Sequence, residues 1–173
     1  MDERGLSALS MRRLGAELGV DPMAVYHYFS DKRAIVLALV ERLLSDFMTT
    51  DASGTWPERV RAWARSYRAI ALAHPGLVLA ILGDTEAVAI AVRQTAGPLL
   101  ASLSDAGLGP EGIATGVDVI VDYTHGSLLA TTRVPDDWAL RTTMPGVDGA
   151  WLEAAYERGL EVVIAGLEAY KRS

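Results

Sequence analysis

The chain has no cysteine, and that one absence removes disulfide frameworks, thiolate metal sites and cysteine nucleophiles together. Histidine is scarce as well. His27, His74 and His125 are scattered along the sequence without clustered carboxylates, which excludes the usual metal-ligand spacings and leaves no metal expected. There is no surplus of positive charge. Sixteen Lys and Arg against 22 Asp and Glu leave a net charge of −6. That balance excludes a protein that coats nucleic acid by charge alone, and leaves room only for a reader with a local basic face. Six basic and seven acidic residues fall in 1–48, ten and fifteen in 49–173, so the acidity resides in the longer part. No apolar run approaches the ~20 residues of a membrane helix. The most apolar stretch, Ala69 to Leu82, is broken by His74, Pro75 and Gly76. No secretory segment opens the sequence, so a cytoplasmic protein without a membrane partner is expected. No phosphate-cradling glycine loop, dinucleotide fingerprint or Ser-His-Asp arrangement occurs, so neither an enzyme nor a bound cofactor is expected.

What remains is an apolar, helix-forming chain. Half of its residues are apolar and its mean hydropathy is +0.20. A dimer interface or an internal cavity is the ordinary destination for that surplus. Helical-period stretches alternate with Gly, Pro, Asp and Ser breaks, and no alternating β-branched run appears, so the fold class is all-α. Ser10 caps a helix carrying Met11, Leu14 and Leu18; Gly19 sits where a left-handed terminating residue belongs. Asp21-Pro22 is a cap and first-turn pair that restarts the chain, with the second helix running to about Phe29. Ser30-Asp31 caps a longer helix with Ile35, Leu39 and Leu43 on one face, fading near Met48. Asp51 to Thr55 is a polar linker, dividing a head (1–48) from a body (54–173). In the body, Trp56-Pro57 opens a helix to about Ala73, and a short apolar helix follows Pro75. A long one spans Asp84 to Ala106, bent or loosened at Gly97-Pro98. Pro110 opens another to about Thr132, and Asp148 caps the last, to about Tyr170.

Two short helices joined by three residues have the form of a helix-turn-helix, whose second helix enters the DNA major groove. Gly15 supplies the small residue where the helices approach, and Gly19 makes the turn. Leu14, Leu18, Val20, Val25 and Tyr28 stand at spacings that would close the pair over one apolar core. A plain helical hairpin also needs a glycine at its turn; the small residue four positions earlier and the Asp-Pro restart favour the DNA reader.

The stretch from Ser10 to Ile35 closely resembles the N-terminal domain of the tetracycline-repressor family. In that family the recognition helix ends in a Tyr-x-aromatic-Phe segment, followed by a short turn and a lysine. Here it reads Tyr26-His27-Tyr28-Phe29-Ser30-Asp31-Lys32. The likeness covers roughly residues 5–48. A looser one to the family's C-terminal domain rests on Trp56-Pro57, His74-Pro75-Gly76, Ala106-Gly107-Leu108 and Asp122-Tyr123. The resemblance implies a homodimeric, ligand-responsive repressor of operator double-stranded DNA. It places Arg12 at a base edge, where a guanidinium suits guanine O6 and N7. Arg13 points elsewhere on the same helix, so only one of the two would read a base, and Ser10 stands beside them. It puts Pro22, Met23 and Ala24 at the leading turn of the reading helix, where thymine methyls are the natural target of such apolar residues. Tyr26, His27 and Tyr28 match positions for phosphates and base methyls, and Lys32 matches a phosphate contact at a helix N-terminus. Tyr28 could equally belong to the core, and Lys32 and Arg33 could be solvated charges. Family members carry a further helix before the motif, whereas only Met1 to Gly5 precede Leu6 here; the resemblance thus implies a sequence beginning inside that domain, its first helix missing.

For the body, the resemblance implies pairing of the last two long helices across a two-fold axis. Ile120 and Leu128 on one, with Tyr156, Leu160, Val163 and Leu167 on the other, are the expected contacts, and Gly126, Gly159 and Gly166 would permit close approach. A small, mostly apolar effector would sit among Trp63, Tyr67, Leu79, Gln94, Leu99, Leu103, Tyr123, His125 and Trp138. His125 reads either as such a contact or as a satisfied interior histidine. Asp118 and Asp122 share its helix face but form no convincing acid/base group. The rival reading is a helical carrier or adaptor with a vestigial DNA-binding head.

Overall fold

The computed structural model describes residues 9–45, 47, 53–133 and 148–171. Among them are eight α-helices and no strand: α1 (Met11–Leu18), α2 (Pro22–Tyr28), α3 (Lys32–Leu44), α4 (Trp56–Ala73), α5 (Pro75–Leu82), α6 (Thr85–Asp105), α7 (Pro110–Arg133) and α8 (Gly149–Tyr170). They form two compact units, residues 1–49 with 73–96, and residues 50–72 with 97–173.

In the first unit the helix boundaries follow from local chemistry. Ser10 Oγ accepts from the Arg13 amide at 3.2 Å and starts α1. Gly19, at φ 68°, ends it in the left-handed conformation that glycine adopts without strain. Asp21 Oδ1 accepts from the Met23 amide at 2.7 Å, and Pro22 opens α2 where no amide donor is needed. Asp31 Oδ1 caps α3 through the Ala34 amide at 2.8 Å. Gly15 is required by a close approach: a Cβ there would lie 2.9 Å from the Val20 carbonyl oxygen and 3.2 Å from Pro22 Cα. Leu9, Met11, Val25 and Ile35 form the core, with Leu14, Phe29, Val36 and Leu39 packed against it.

That core differs from the one expected. Leu14 and Val25 belong to it, but Leu18, Val20 and Tyr28 are 63%, 43% and 85% exposed. The reason is α3: Ile35, Val36 and Leu39 close over α1 and α2 from below, leaving the ends of the two short helices outside.

In the second unit α8 meets two neighbours. Four side-chain pairs join it to α4: Trp56 to Glu168, Arg61 to Glu161, Arg65 to Glu157 and Arg68 to Glu153. The residue numbers rise on α4 as they fall on α8, so the helices run antiparallel. Toward α7 the approach is governed by glycine, with Gly112 beside Tyr170, Gly116 beside Leu167 and Gly159 beside Tyr123. α6 runs as one helix from Thr85 to Asp105 with Pro98 inside it. Among the described residues no single helix is long and apolar enough to cross a membrane; α5 and α6 pass that test only as a pair bent by 115°.

Candidate nucleic-acid interface and helical body

The proposed reading residues lie on an exposed face. Val25, 4% exposed, anchors α2 on the core, so the residues around it turn outward. Met23, Tyr26 and Tyr28 are 66%, 50% and 85% exposed. His27 is exposed too, while Pro22 and Ala24 are half-buried at the leading turn. Tyr28 is therefore no core residue. On α1, Arg12 is exposed and Arg13 half-buried; Ser10 is exposed, with its oxygen engaged as the cap. Lys32 is exposed on the first turn of α3, where backbone amides also favour an anion. Two arginine or lysine cations and a row of aromatic groups thus flank a helix end, an arrangement suited to phosphates at its edges and base methyls at its centre.

Arg33 is no free solvated charge. Its Nε lies 2.5 Å from Asp84 Oδ2, and its Nη2 lies 2.9 Å from Asp84 Oδ1 and 2.7 Å from Glu86 Oε2. The guanidinium draws the Asp84 carboxyl down to about 2, and the two acids hold Arg33 above its usual range. No local pattern could reveal a pair separated by 51 positions.

In the second unit the structure brings together part of the expected ligand set. Trp63 and Tyr67 stack at 5.2 Å between centroids, 4° from parallel. Tyr67 Oη lies 2.8 Å from His125 Nε2. Burial pushes the Tyr67 phenol up to about 12. It also draws His125 below the usual imidazole range, with Asp122 opposing weakly, so the ring is neutral at pH 7. Tyr123 stacks on Tyr156 at 5.5 Å and donates to the Tyr156 carbonyl at 2.9 Å. Leu99 and Leu103 are fully buried. Leu79 and Gln94, both half-buried, belong to the first unit. Trp138 lies outside the described residues. Among the described residues no three His, Asp or Glu side chains converge.

Arg68 was not singled out from the sequence. It is 3% exposed, donates through Nη1 to Glu153, and lies 4.4 Å from the Tyr156 ring centroid, with its Nε buried and unpartnered. A signal did exist: Arg68 stands four residues after Ala64 and eight after Val60, on the buried stripe of α4.

Of the expected dimer contacts, Ile120, Leu128, Tyr156, Leu160 and Leu167 are covered within their own chain, and Val163 is half-buried. Gly159 is likewise occupied by the chain's own Tyr123. The outward faces of the same helices carry Val119, Trp151 and Val162, with Gly126 and Gly166 facing open space.

Comparison with known proteins agrees with this arrangement. Residues 1–39 match the model of bacterial regulatory proteins of the tetR family. Residues 49–148 match that of the tetracyclin repressor-like C-terminal domain. The class A tetracycline repressor protein from transposon 1721 of Escherichia coli is 28% identical over 184 residues, covering 96% of this chain and 84% of that protein. A possible TetR family transcriptional regulator from Streptomyces coelicolor A3(2) superposes with a TM-score of 0.70 at 26% identity, over 98% of this chain and 93% of the other. The Streptomyces coelicolor protein ActR, solved in complex with actinorhodin, shares the fold with a TM-score of 0.72 at 22% identity, over 99% and 92%. Such proteins are regulators, not enzymes, that join a helix-turn-helix head to a ligand-binding helical domain. With both halves matched in chain order and the capped reading helix exposed, the chain belongs to the tetracycline-repressor family of bacterial transcription regulators.

Proposed function

We propose that this chain is a cytoplasmic repressor that binds an inverted-repeat operator as a homodimer and is released by a small, mostly apolar effector. Residues 1–48 act as the reader, residues 54–173 as the sensing and dimerisation part. The observation that carries the reading is the outward leading turn of α2, with Met23, Tyr26 and His27 exposed beside Arg12 and Lys32. Arg12 and the leading turn select sequence; Ser10, Arg13, Tyr28 and Lys32 hold phosphates. Two copies pair through α7 and α8, using outward residues such as Val119, Trp151 and Val162 and the open glycines, which sets two recognition helices ~34 Å apart, one DNA turn. The effector takes the aromatic, mostly apolar lining of Trp63, Tyr67, Tyr123 and His125, with Leu99 and Leu103 as further contacts. Its binding shifts the body helices and changes the separation of the readers; a coupling of about 1–3 kcal/mol corresponds to roughly 5–150-fold release.

The test is a band-shift titration of the full chain with duplex DNA from its own gene neighbourhood. A sequence-specific shift is expected, with Arg12→Ala relaxing preference at one base pair and Lys32→Ala weakening every site alike. No specific shift at low salt sinks the reading.

A further inference from the structure

Helix α3 opens on two cations, and the fold treats them differently. Lys32 is exposed. Arg33 spends its guanidinium on Asp84 and Glu86 through three hydrogen bonds of 2.5, 2.9 and 2.7 Å. Asp84 has a second duty: its Oδ1 also accepts from the amides of Glu86 at 2.9 Å and Ala87 at 3.3 Å, capping the start of α6. One carboxylate therefore ends in two places, as the N-terminal cap of α6 and as the seat of the Arg33 fork.

Exposed ion pairs are ordinarily worth little, because two flexible side chains must be held in one geometry. This pair escapes that objection. The fork is bidentate on a carboxylate already fixed by the amides it caps, and a second acid shares the same guanidinium. Arg33 itself sits one residue into α3, five after the last residue of α2, with the Asp31 cap between them. Helix α6 then continues to Asp105, and from residue 97 onward its residues belong to the second unit. A joint placed here ties the start of α3, four residues beyond the end of α2, to a helix that runs on to Asp105.

We propose that Arg33, Asp84 and Glu86 are positioning residues for operator reading, pinning the start of α3 to the N-terminus of α6 so that α6 sets the spacing at which a dimer's two recognition helices meet DNA. The inference rests on the operator-binding dimer proposed above. It assigns Arg33 a role opposite to that of its neighbour Lys32: Lys32 grips phosphate, while Arg33 touches no DNA and acts through α6.

The experiment uses the full chain. Wild-type protein first selects its duplex from a random-sequence pool. Fluorescence anisotropy then measures binding to that duplex and to versions with one base pair inserted or removed between the half-sites. The variants are Arg33→Gln, Glu86→Gln and Asp84→Asn, the last keeping a side chain that caps α6 as well as aspartate does. Arg33→Gln and Asp84→Asn should lose about tenfold of the discrimination between native and altered spacing, within the range of ordinary coupling between sites. Glu86→Gln should lose less, since Asp84 retains the fork. Lys32→Ala should weaken all three duplexes equally and keep the discrimination. Unchanged discrimination in Arg33→Gln and Asp84→Asn overturns the proposal. So does an equal loss on all duplexes, which would make Arg33 a phosphate contact. If the wild-type chain selects no duplex, the operator-binding reading fails instead.

Discussion

Replacing the buried Arg68 by methionine should leave stability within about 1 kcal/mol of wild type, an unusual outcome for the loss of an interior charge. The balance follows from the surroundings. Methionine gives up the cation over the Tyr156 ring, worth about 2 kcal/mol when desolvated. It also gives up the bond to Glu153, worth about 1 kcal/mol or less because that carboxylate stands half in water. Against those losses, it removes a buried Nε–H without an acceptor, a penalty of about 1–3 kcal/mol. It also gains a sulfur–aromatic contact of about 0.3–1.5 kcal/mol with Tyr156. The opposite deletion behaves differently. Glu153→Ala leaves a buried guanidinium without its hydrogen-bonded acid, and should destabilise by about 3 kcal/mol. The double variant should return close to Arg68→Met alone, since no uncompensated charge then remains. Urea unfolding followed by far-ultraviolet circular dichroism, at fixed protein concentration, measures all three. If Arg68→Met proves more damaging than Glu153→Ala, Arg68 contributes as an ion-pair partner and the reasoning is wrong.

Other substitutions separate folding from assembly and from titration. Gly159→Ala places a Cβ 2.0 Å from the Tyr123 hydroxyl oxygen, so Tyr123 must leave its seat against α8, at about 2–3 kcal/mol in thermal unfolding. Gly166→Ala meets nothing within 4 Å and should leave monomer folding intact while weakening the proposed dimer in analytical ultracentrifugation. The half-buried His125 has its proton affinity lowered by folding. Stability is therefore fully present above about pH 6.5, the ordinary imidazole value, and falls as pH drops below it, because the unfolded chain binds the proton first. His125→Gln should flatten that part of the stability profile just below about pH 6.5, and an unchanged slope would show that His125 is not its source.

The helix boundaries were legible because their causes are local. Ser10, Gly19, Asp21-Pro22, Asp31, Pro75, Pro110 and Asp148 act on amides or dihedrals within a few residues, and each stands where its helix begins or ends. The outward face of α2 was legible for the same reason, since a seven-residue helix anchored at Val25 has few ways to turn. Choices among apolar residues were less so. Leu18, Val20 and Tyr28 have the right spacing for the small core, but Ile35 and Leu39 of α3 reach it first. On α7 and α8, apolar residues surround the helices, and periodicity alone could not tell the inward Leu160 and Ile120 from the outward Val162 and Val119. Arg33 and Asp84 meet only through tertiary structure, so nothing near either residue announces the other. Arg68 was the readable exception, a cation in the buried register of α4.

The most direct trial of the account is a hydroxyl-radical footprint of the full-length chain on its selected duplex. Two protected patches related by a dyad, with centres one helical turn or about 10 base pairs apart, are predicted, and both should vanish together when Tyr26 is replaced by alanine. A single unpaired patch, or two patches that survive Tyr26→Ala, would show that α2 is not the element that meets DNA.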